Sequence, residues 1–199
     1  MTISYPRSLP THTGIAQIEL RAVNAVAYSQ SPFTFSGQAH TYQGQMWQAD
    51  VTLPAMKVAD AEQWLAMLIS LRGQYGTFLL GDPLRTSLRG TATSCSITGS
   101  SGDNTVSATV PSGETLLAGD YIQLGSAGTA TLHKVLVDYT GTGADADLEI
   151  WPALRVNRSS ASATLSNAKG NFRLSTNEQA WSINEASIYG ITFGAMEAI

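Results

Sequence analysis

Apolar and polar residues alternate along several segments of the chain, and this alternation predicts a protein built mainly of β-strands. The pattern is partial in Ile15–Val26 and clear in Met46–Leu53. In the second segment every other residue is apolar: Trp47, Ala49, Val51 and Leu53. A period of two places these side chains on one face of a sheet and the intervening polar ones on the other. We expect one face to form a core and the other to face water or a partner.

A β-hairpin is predicted in the same part of the chain. A turn region rich in Ser, Pro and Gly, Ser29–Gly37, precedes it. Ala39–Tyr42 is the predicted first arm, Gln43-Gly44-Gln45 the turn and Met46–Leu53 the second arm. Further along, Gly76–Pro83 predicts a short strand that ends in a Gly-Asp-Pro turn.

One α-helix is predicted, over Asp60–Arg72. Apolar residues recur there at steps of three and four and share one stripe: Ala61, Trp64, Leu65, Leu68 and Leu71. Asp60 suits the first turn, and Gly73 suits the C-terminal stop. Because the outer face has almost no charge, the helix is either a core helix or one that faces another subunit.

Residues 90–165 differ in composition from the rest, since they are rich in Thr, Ser, Gly and Ala. Turn clusters separate short predicted strands: Thr105–Val110, Asp120–Leu124, Thr131–Val137 and Leu148–Trp151. This spacing is typical of a small antiparallel barrel or sandwich. Residues 157–162 look like a joint, after which Gly170–Ile199 returns to alternation. We therefore predict a mainly β fold, all-β with one flanking helix, in which 90–165 is inserted into a domain of residues 1–89 and 166–199.

Composition narrows the possible functions. The chain has 199 residues, 43% of them hydrophobic and only 13% charged, with a net charge of −4. This composition predicts a folded chain without attraction to nucleic acid or anionic lipid. Residues 1–14 predict an extended arm, and no secretory signal or membrane-spanning run is visible. We expect the chain to be made in the cytoplasm and not to insert into a membrane.

The titratable residues and motifs of the sequence predict no enzyme, cofactor or metal site. His12, His40 and His133 are isolated, and no nucleophile or phosphate-binding motif is present. The single cysteine, Cys95, excludes an internal disulfide and is interpreted as a buried or idle thiol, with a nucleophile as the alternative. The densest acidic cluster is Asp138, Asp145, Asp147 and Glu149. It is interpreted as a solvated turn, with calcium binding as the alternative.

Tryptophan and arginine residues supply the remaining candidates. Trp47 and Trp64 fall in phase with the core, whereas Trp151 and Trp181 lie near strand edges, where they would stack on a carbohydrate or anchor a subunit. Two arginine-bearing turns, 84–90 and 154–158, flank the insertion. They are either basic surface loops or sites that bind carboxylates of an adjacent chain.

Three segments resemble tail proteins of long-tailed bacteriophages, and the most similar type is the distal tail protein, the hub between the tail tube and the adsorption apparatus. The segments are SPFTFSGQAHTYQGQMWQADVTLPAM (31–56), ADAEQWLAMLISLRGQYGTFLLGDP (59–83) and FRLSTNEQAWSINEASIYGITFGAMEA (172–198). The resemblance implies a tail-tube-like β-sandwich and a ring, usually of six copies, around a channel through which DNA passes without specific binding. The implied location is the tail tip of the virion, and the implied partners are the tail tube protein and hub, baseplate or tail fibre proteins.

On this hypothesis the helix 60–72 and the hairpin 39–53 form the ring contacts, and the 90–165 insertion projects outward. The predicted subunit contacts are Trp47, Val51, Trp64, Leu68, Arg85 and Arg89. The low charge of the chain independently suits a surface buried by copies of itself. The alternative function is a carbohydrate-binding β-sandwich that recognises a host surface glycan, with the Trp151 and Trp181 pair as its motivation.

Overall fold

The alternating segments form the predicted strands in the computed structural model, which describes residues 2–11 and 14–199. This part of the chain is mainly β with a single α-helix, as predicted. The strands are β1 (Gln17–Gln30), β2 (Gly37–Thr52), β3 (Met56–Lys57), β4 (Thr77–Leu80), β5 (Ser96–Gly99), β6 (Thr105–Thr109), β7 (Thr115–Leu116), β8 (Tyr121–Leu124), β9 (Thr131–Val135), β10 (Tyr139–Thr140), β11 (Asp145–Trp151), β12 (Arg158–Thr164), β13 (Gly170–Leu174), β14 (Trp181–Ile183) and β15 (Ile188–Glu197). The helix is α1 (Val58–Ser70). His12 lies outside the described residues.

A large antiparallel sheet carries the helix. Its strand order is β1-β2-β15-β13-β4, and β14 and β3 pair with the first part of β15. The predicted alternation in β15 is confirmed, because Tyr189, Ile191 and Phe193 are buried. The apolar stripe of α1 packs on this face of the sheet, where the Trp64 and Phe193 rings lie 6.3 Å apart between centroids. The helix is therefore a core helix of its own chain.

A second core lies inside a closed antiparallel barrel. The barrel order is β11-β6-β5-β12-β8-β9, and its interior holds residues such as Ile97, Ile122, Leu124 and Ile150. The β-structure predicted in this region is thus a barrel rather than a sandwich. The prediction of a joint between domains at residues 157–162 is wrong. Those residues belong mostly to β12, which pairs with both β5 and β8 and closes the barrel.

The predicted hairpin turn at Gln43-Gly44-Gln45 is also wrong. β2 continues through these residues and pairs with β1 from end to end, so the chain turns at residues 31–36 instead. The three residues 42–44 are accommodated by a shift of register, since Asn24 pairs with Gln45 but Val26 pairs with Thr41. An irregularity of this kind interrupts a ladder locally without ending it, provided that the partner strand is long enough to resume pairing.

The predicted N-terminal arm packs on its own chain. The Arg7 N–H donates to the Thr77 carbonyl at 2.8 Å, and the Leu79 N–H donates to the Arg7 carbonyl at 3.1 Å. The Tyr5 hydroxyl donates to the Ser70 carbonyl at the end of the helix, at 2.6 Å. These contacts cover part of the free edge of β4. In the described residues, no helix has the length and apolar character needed to cross a bilayer.

Candidate functional site

The far half of the β1–β2 hairpin extends beyond both cores. We call residues 25–44 the distal hairpin. All of them except the half-buried Ser31 are exposed, on both faces of the two strands. A two-stranded ribbon without a core beneath it has little stability of its own in water. The distal hairpin therefore has the geometry of an element that contact with another molecule would stabilise.

The distal hairpin exposes large apolar side chains and has no formal charge. The exposed fractions are 51% for Val26, 64% for Tyr28, 91% for Phe33, 74% for Phe35 and 58% for Tyr42. From Ala22 to Met46 the sequence contains no Asp, Glu, Lys or Arg. Large exposed apolar patches mark sites of protein or membrane contact. This segment is the strongest candidate for a functional surface.

The tip of the distal hairpin has a defined conformation. The Ser31 N–H donates to the Ser36 carbonyl, and the Phe35 N–H donates to the Ser31 carbonyl, each at 3.0 Å. The Gln30 side-chain amide also donates to the Phe35 carbonyl at 2.9 Å. These bonds hold Phe35 in the left-handed region, with φ 55°. The tip thus presents Phe33 and Phe35 from an ordered turn.

The outer edge of β1 is open. Within the described residues β1 pairs with β2 alone, so its other edge presents unpaired backbone groups. Its 14 residues contain no proline or lysine, and Glu19 and Arg21 are its charged residues. Proteins usually protect such edges with lysine, proline or a covering segment. A long unprotected edge favours strand pairing with another chain.

The face of the sheet opposite the helix is polar. Arg21 forms ion pairs with Glu19, at 2.8 Å, and with Asp50. The hydrogen bond from Arg21 lowers the pKa of the Glu19 carboxyl. Beside Asp50 lies a groove of about 470 Å³ between β2, β15 and residues 175–180. This face combines carboxylates with uncharged hydroxyl groups.

Four of the six predicted subunit contacts belong to the chain's own core. Trp47, Val51, Trp64 and Leu68 are 4%, 1%, 1% and 2% exposed. A neighbouring subunit cannot reach these side chains while the chain is folded, so their assignment as subunit contacts is corrected. The alternation and the helical stripe marked a buried face, but that face is covered by the chain itself.

The two arginines of the predicted contacts lie on the surface near the barrel. Arg85 and Arg89 are exposed. The Arg89 guanidinium donates to the Ala118 carbonyl at 2.9 Å, and its backbone N–H donates to the buried Asp120 carboxylate at 2.7 Å. Asp120 also accepts from the Gly90 and Leu117 N–H groups. Contact of Arg85 and Arg89 with an adjacent chain remains a prediction.

The tryptophans considered for carbohydrate stacking lie in different settings. Trp151, on β11, packs its ring on Trp47 with centroids 4.5 Å apart and donates its indole N–H to Asn24 Oδ1 at 2.7 Å. Trp181 is 41% exposed on β14, beside a second groove of about 420 Å³. Trp151 therefore has an intramolecular role, while Trp181 keeps an exposed ring.

The other titratable candidates make structural contacts. Cys95 is buried in the barrel, and desolvation raises the pKa of its thiol to about 11. In the acidic cluster, Asp145 accepts a hydrogen bond from Thr109 and Glu149 accepts one from Thr105. Asp138 accepts the Ala118 N–H at 2.7 Å. Within the described residues no three His, Cys, Asp or Glu side chains are arranged to hold a metal ion.

His133 is fully buried inside the barrel. Its Nδ1 lies 2.7 Å from the Pro152 carbonyl oxygen and its Nε2 lies 2.9 Å from the Thr131 hydroxyl oxygen. A carbonyl only accepts, so Nδ1 carries the proton and Nε2 of the neutral ring accepts from the Thr131 hydroxyl. Desolvation is the main cause that lowers the pKa of His133 to about 4.

This burial predicts a loss of stability in acid. The unfolded chain binds a proton at His133 near pH 6.5, whereas the folded chain binds it only near pH 4. The stabilisation is therefore complete above pH 6.5 and is lost as the pH falls to 4, by about 3 kcal/mol. Urea unfolding at a series of pH values measures it. His133→Gln should flatten the profile in this window, and the exposed His40→Gln should not; equal slopes in all three proteins would contradict the assignment.

Comparison of the chain with models of known protein families and with curated protein sequences finds no match.

Proposed function

We propose that the chain is a structural subunit of the distal tail of a long-tailed bacteriophage. In this proposal copies of the chain, about six as in the proteins it resembles, close into a ring that joins the tail tube to the adsorption apparatus. DNA passes through the ring without specific binding. The protein acts by assembly and not by catalysis.

The observation that carries the proposal is the exposed distal hairpin. Five large apolar side chains, each more than half exposed, extend on a ribbon that the chain itself does not cover. Exposure of this extent in a single chain favours burial against a protein partner. A second copy of the chain is a partner available to every subunit, and a projecting element that contacts a different surface of the next copy produces a closed ring when the rotation permits.

Two further features support a ring of identical chains. The open edge of β1 is suited to pairing with a strand of a neighbour, which would satisfy its free N–H and C=O groups. The net charge of −4 and the carboxylates on the polar sheet face are compatible with a passage for DNA, because negative surfaces do not retain phosphates. Arg85 and Arg89 are the basic residues assigned to contacts with a neighbour.

Electron microscopy of the purified full chain tests the proposal. Class averages are expected to show closed rings with a central channel and about six repeats. Addition of the isolated tail tube protein of the same virus should place rings at the ends of tubes. Particles without symmetry, the size of one chain, at concentrations well above those of the cell would contradict the proposal.

The purified full chain also serves to test the alternative function, carbohydrate binding. The exposed Trp181 ring beside its groove is the feature that favours glycan binding. A glycan array with the full chain and with Trp181→Ala is the direct measurement. Binding that disappears in the variant, by a chain that forms no rings, would favour carbohydrate recognition over the structural role.

A further inference from the structure

The barrel and the base of the hairpin are joined by polar contacts that the proposed function does not use. On the β1 side, Asn24 is the last residue before the shift of register. Its side-chain oxygen accepts the indole N–H of Trp151, which lies at the end of β11 in the barrel. The Trp151 ring also packs edge-on against Trp47 in β2. Trp151 thus connects the barrel to both strands of the hairpin.

On the β2 side, Gln45 is held by three groups from two loops of the barrel, the β5–β6 loop and the β11–β12 loop. Its side-chain oxygen accepts the Ala153 N–H at 2.7 Å and the Asn104 amide at 3.1 Å. Its backbone carbonyl accepts the Arg155 guanidinium at 2.6 Å. Gln45 is the direct partner of Asn24 across the ladder. The contacts therefore converge on one rung of the hairpin.

A buried ion pair completes this arrangement. Arg155 donates to both Glu197 carboxylate oxygens, at 3.1 and 2.6 Å. The side chains are 14% and 3% exposed. Glu197 also accepts the Trp47 N–H at 3.1 Å, two residues beyond Gln45. A bidentate pair in a desolvated position has a specific geometry, which fixes the orientation of both groups. We call Asn24, Gln45, Asn104, Trp151, Arg155 and Glu197 the hairpin-base network.

The position of this network gives it a mechanical role. At the shift of register the ladder is interrupted, and strands bend and twist most easily at such points. Beyond it the distal hairpin has no core beneath it. We propose that the barrel, through the hairpin-base network, fixes the angle at which the distal hairpin leaves the sheet. The significance of that angle for ring closure rests on the proposed function, but the fixing itself is a property of the single chain.

Pulsed electron paramagnetic resonance measures the distance between two spin labels, and the width of the distance distribution shows how firmly the angle is fixed. Spin labels are placed at Ser29→Cys in the distal hairpin and Ser112→Cys in an exposed barrel loop, in a Cys95→Ala chain. Phe33→Ser and Phe35→Ser are included so that the chain is measured as a single copy. A narrow distance distribution is expected. The variant Asn24→Ala with Gln45→Ala, both residues being on the same rung, should broaden it at least twofold.

Two comparisons decide the result. Gln38→Ala removes the same type of side chain from an exposed position of the distal hairpin and should leave the width unchanged. Gln45→Glu, with Asn24 unchanged, keeps an acceptor for the Ala153 N–H. Its distance distribution should be nearly as narrow as that of the chain with an intact network. If the double variant does not fold, as judged by circular dichroism, Asn24→Ala alone is used, because Asn24 is exposed.

An unchanged width in a folded network variant, or equal broadening in Gln38→Ala, would overturn the proposal. If the width depends on the network but the chain with Phe33 and Phe35 intact forms no rings, this proposal stands and the proposed function is refuted. If that chain forms rings but the network variant leaves the width unchanged, the proposed function stands and this proposal is refuted.

Discussion

Replacing Phe33 and Phe35 with serine is expected to convert the proposed ring into single chains. The phenylalanines are 91% and 74% exposed, so they contribute little to the fold of the single chain. They form the apolar tip of the distal hairpin. Truncation of a hot-spot residue in an interface costs about 2 kcal/mol or more, and a closed ring repeats that loss at every junction. Light scattering should report a fall to the 21.1 kDa of one chain.

The matched control is an exposed apolar residue on the barrel. Val137 is 58% exposed and lies outside the hairpin. Val137→Ser should leave the ring intact. The free energy of unfolding of both proteins should stay within about 0.5 kcal/mol of the parent, as is usual for surface substitutions. A ring that persists after both phenylalanines are replaced would show that the tip is not the contact.

Trp64→Ala is expected to lower the free energy of unfolding by about 3–5 kcal/mol, the range found for large aromatic residues in cores. Trp64 is 1% exposed, and its ring packs beside Phe193 between the helix and the sheet. Removal of the indole leaves a cavity that rigid strands cannot fill. Urea unfolding of the Phe33→Ser, Phe35→Ser chain measures the loss without a contribution from assembly.

Ile69 provides the comparison on the same helix. It is 57% exposed, and Ile69→Ala should change the free energy of unfolding by less than about 0.5 kcal/mol. If Trp64→Ala left the free energy of unfolding unchanged but converted the proposed ring into single chains, Trp64 would be a subunit contact, as the sequence pattern suggested. The packing described for α1 would then be refuted.

The core was predictable because it follows local periodicity. The helix lies within two residues of its predicted bounds, and the buried sides of β2 and β15 match the alternation. The surface proposed for contact between copies was not predictable in the same way. Periodicity shows which side of an element is apolar, but not whether the chain or a neighbour covers it, and Trp47, Val51, Trp64 and Leu68 were misassigned for that reason.

The distal hairpin escaped prediction because its length depends on pairing between two strands. Gly44 between two glutamines has the composition of a turn, and only the continuous partner β1 shows that the strand runs through it. A signal for the tip was present in Ser29–Gly37, where Phe33 and Phe35 stand among small polar residues. Two phenylalanines in a turn without a nearby apolar run indicate an exposed contact. The hairpin-base network joins residues more than 100 positions apart, and no local pattern reports it.

Light scattering over a wide range of concentrations gives the mass of the full chain in solution and so shows whether copies of the chain form a closed ring. We predict a discrete species of about six times 21.1 kDa that coexists with single chains and little between them. A constant mass of 21.1 kDa up to the highest soluble concentration would show that the exposed hairpin has no affinity for a second copy, and would refute the proposed ring.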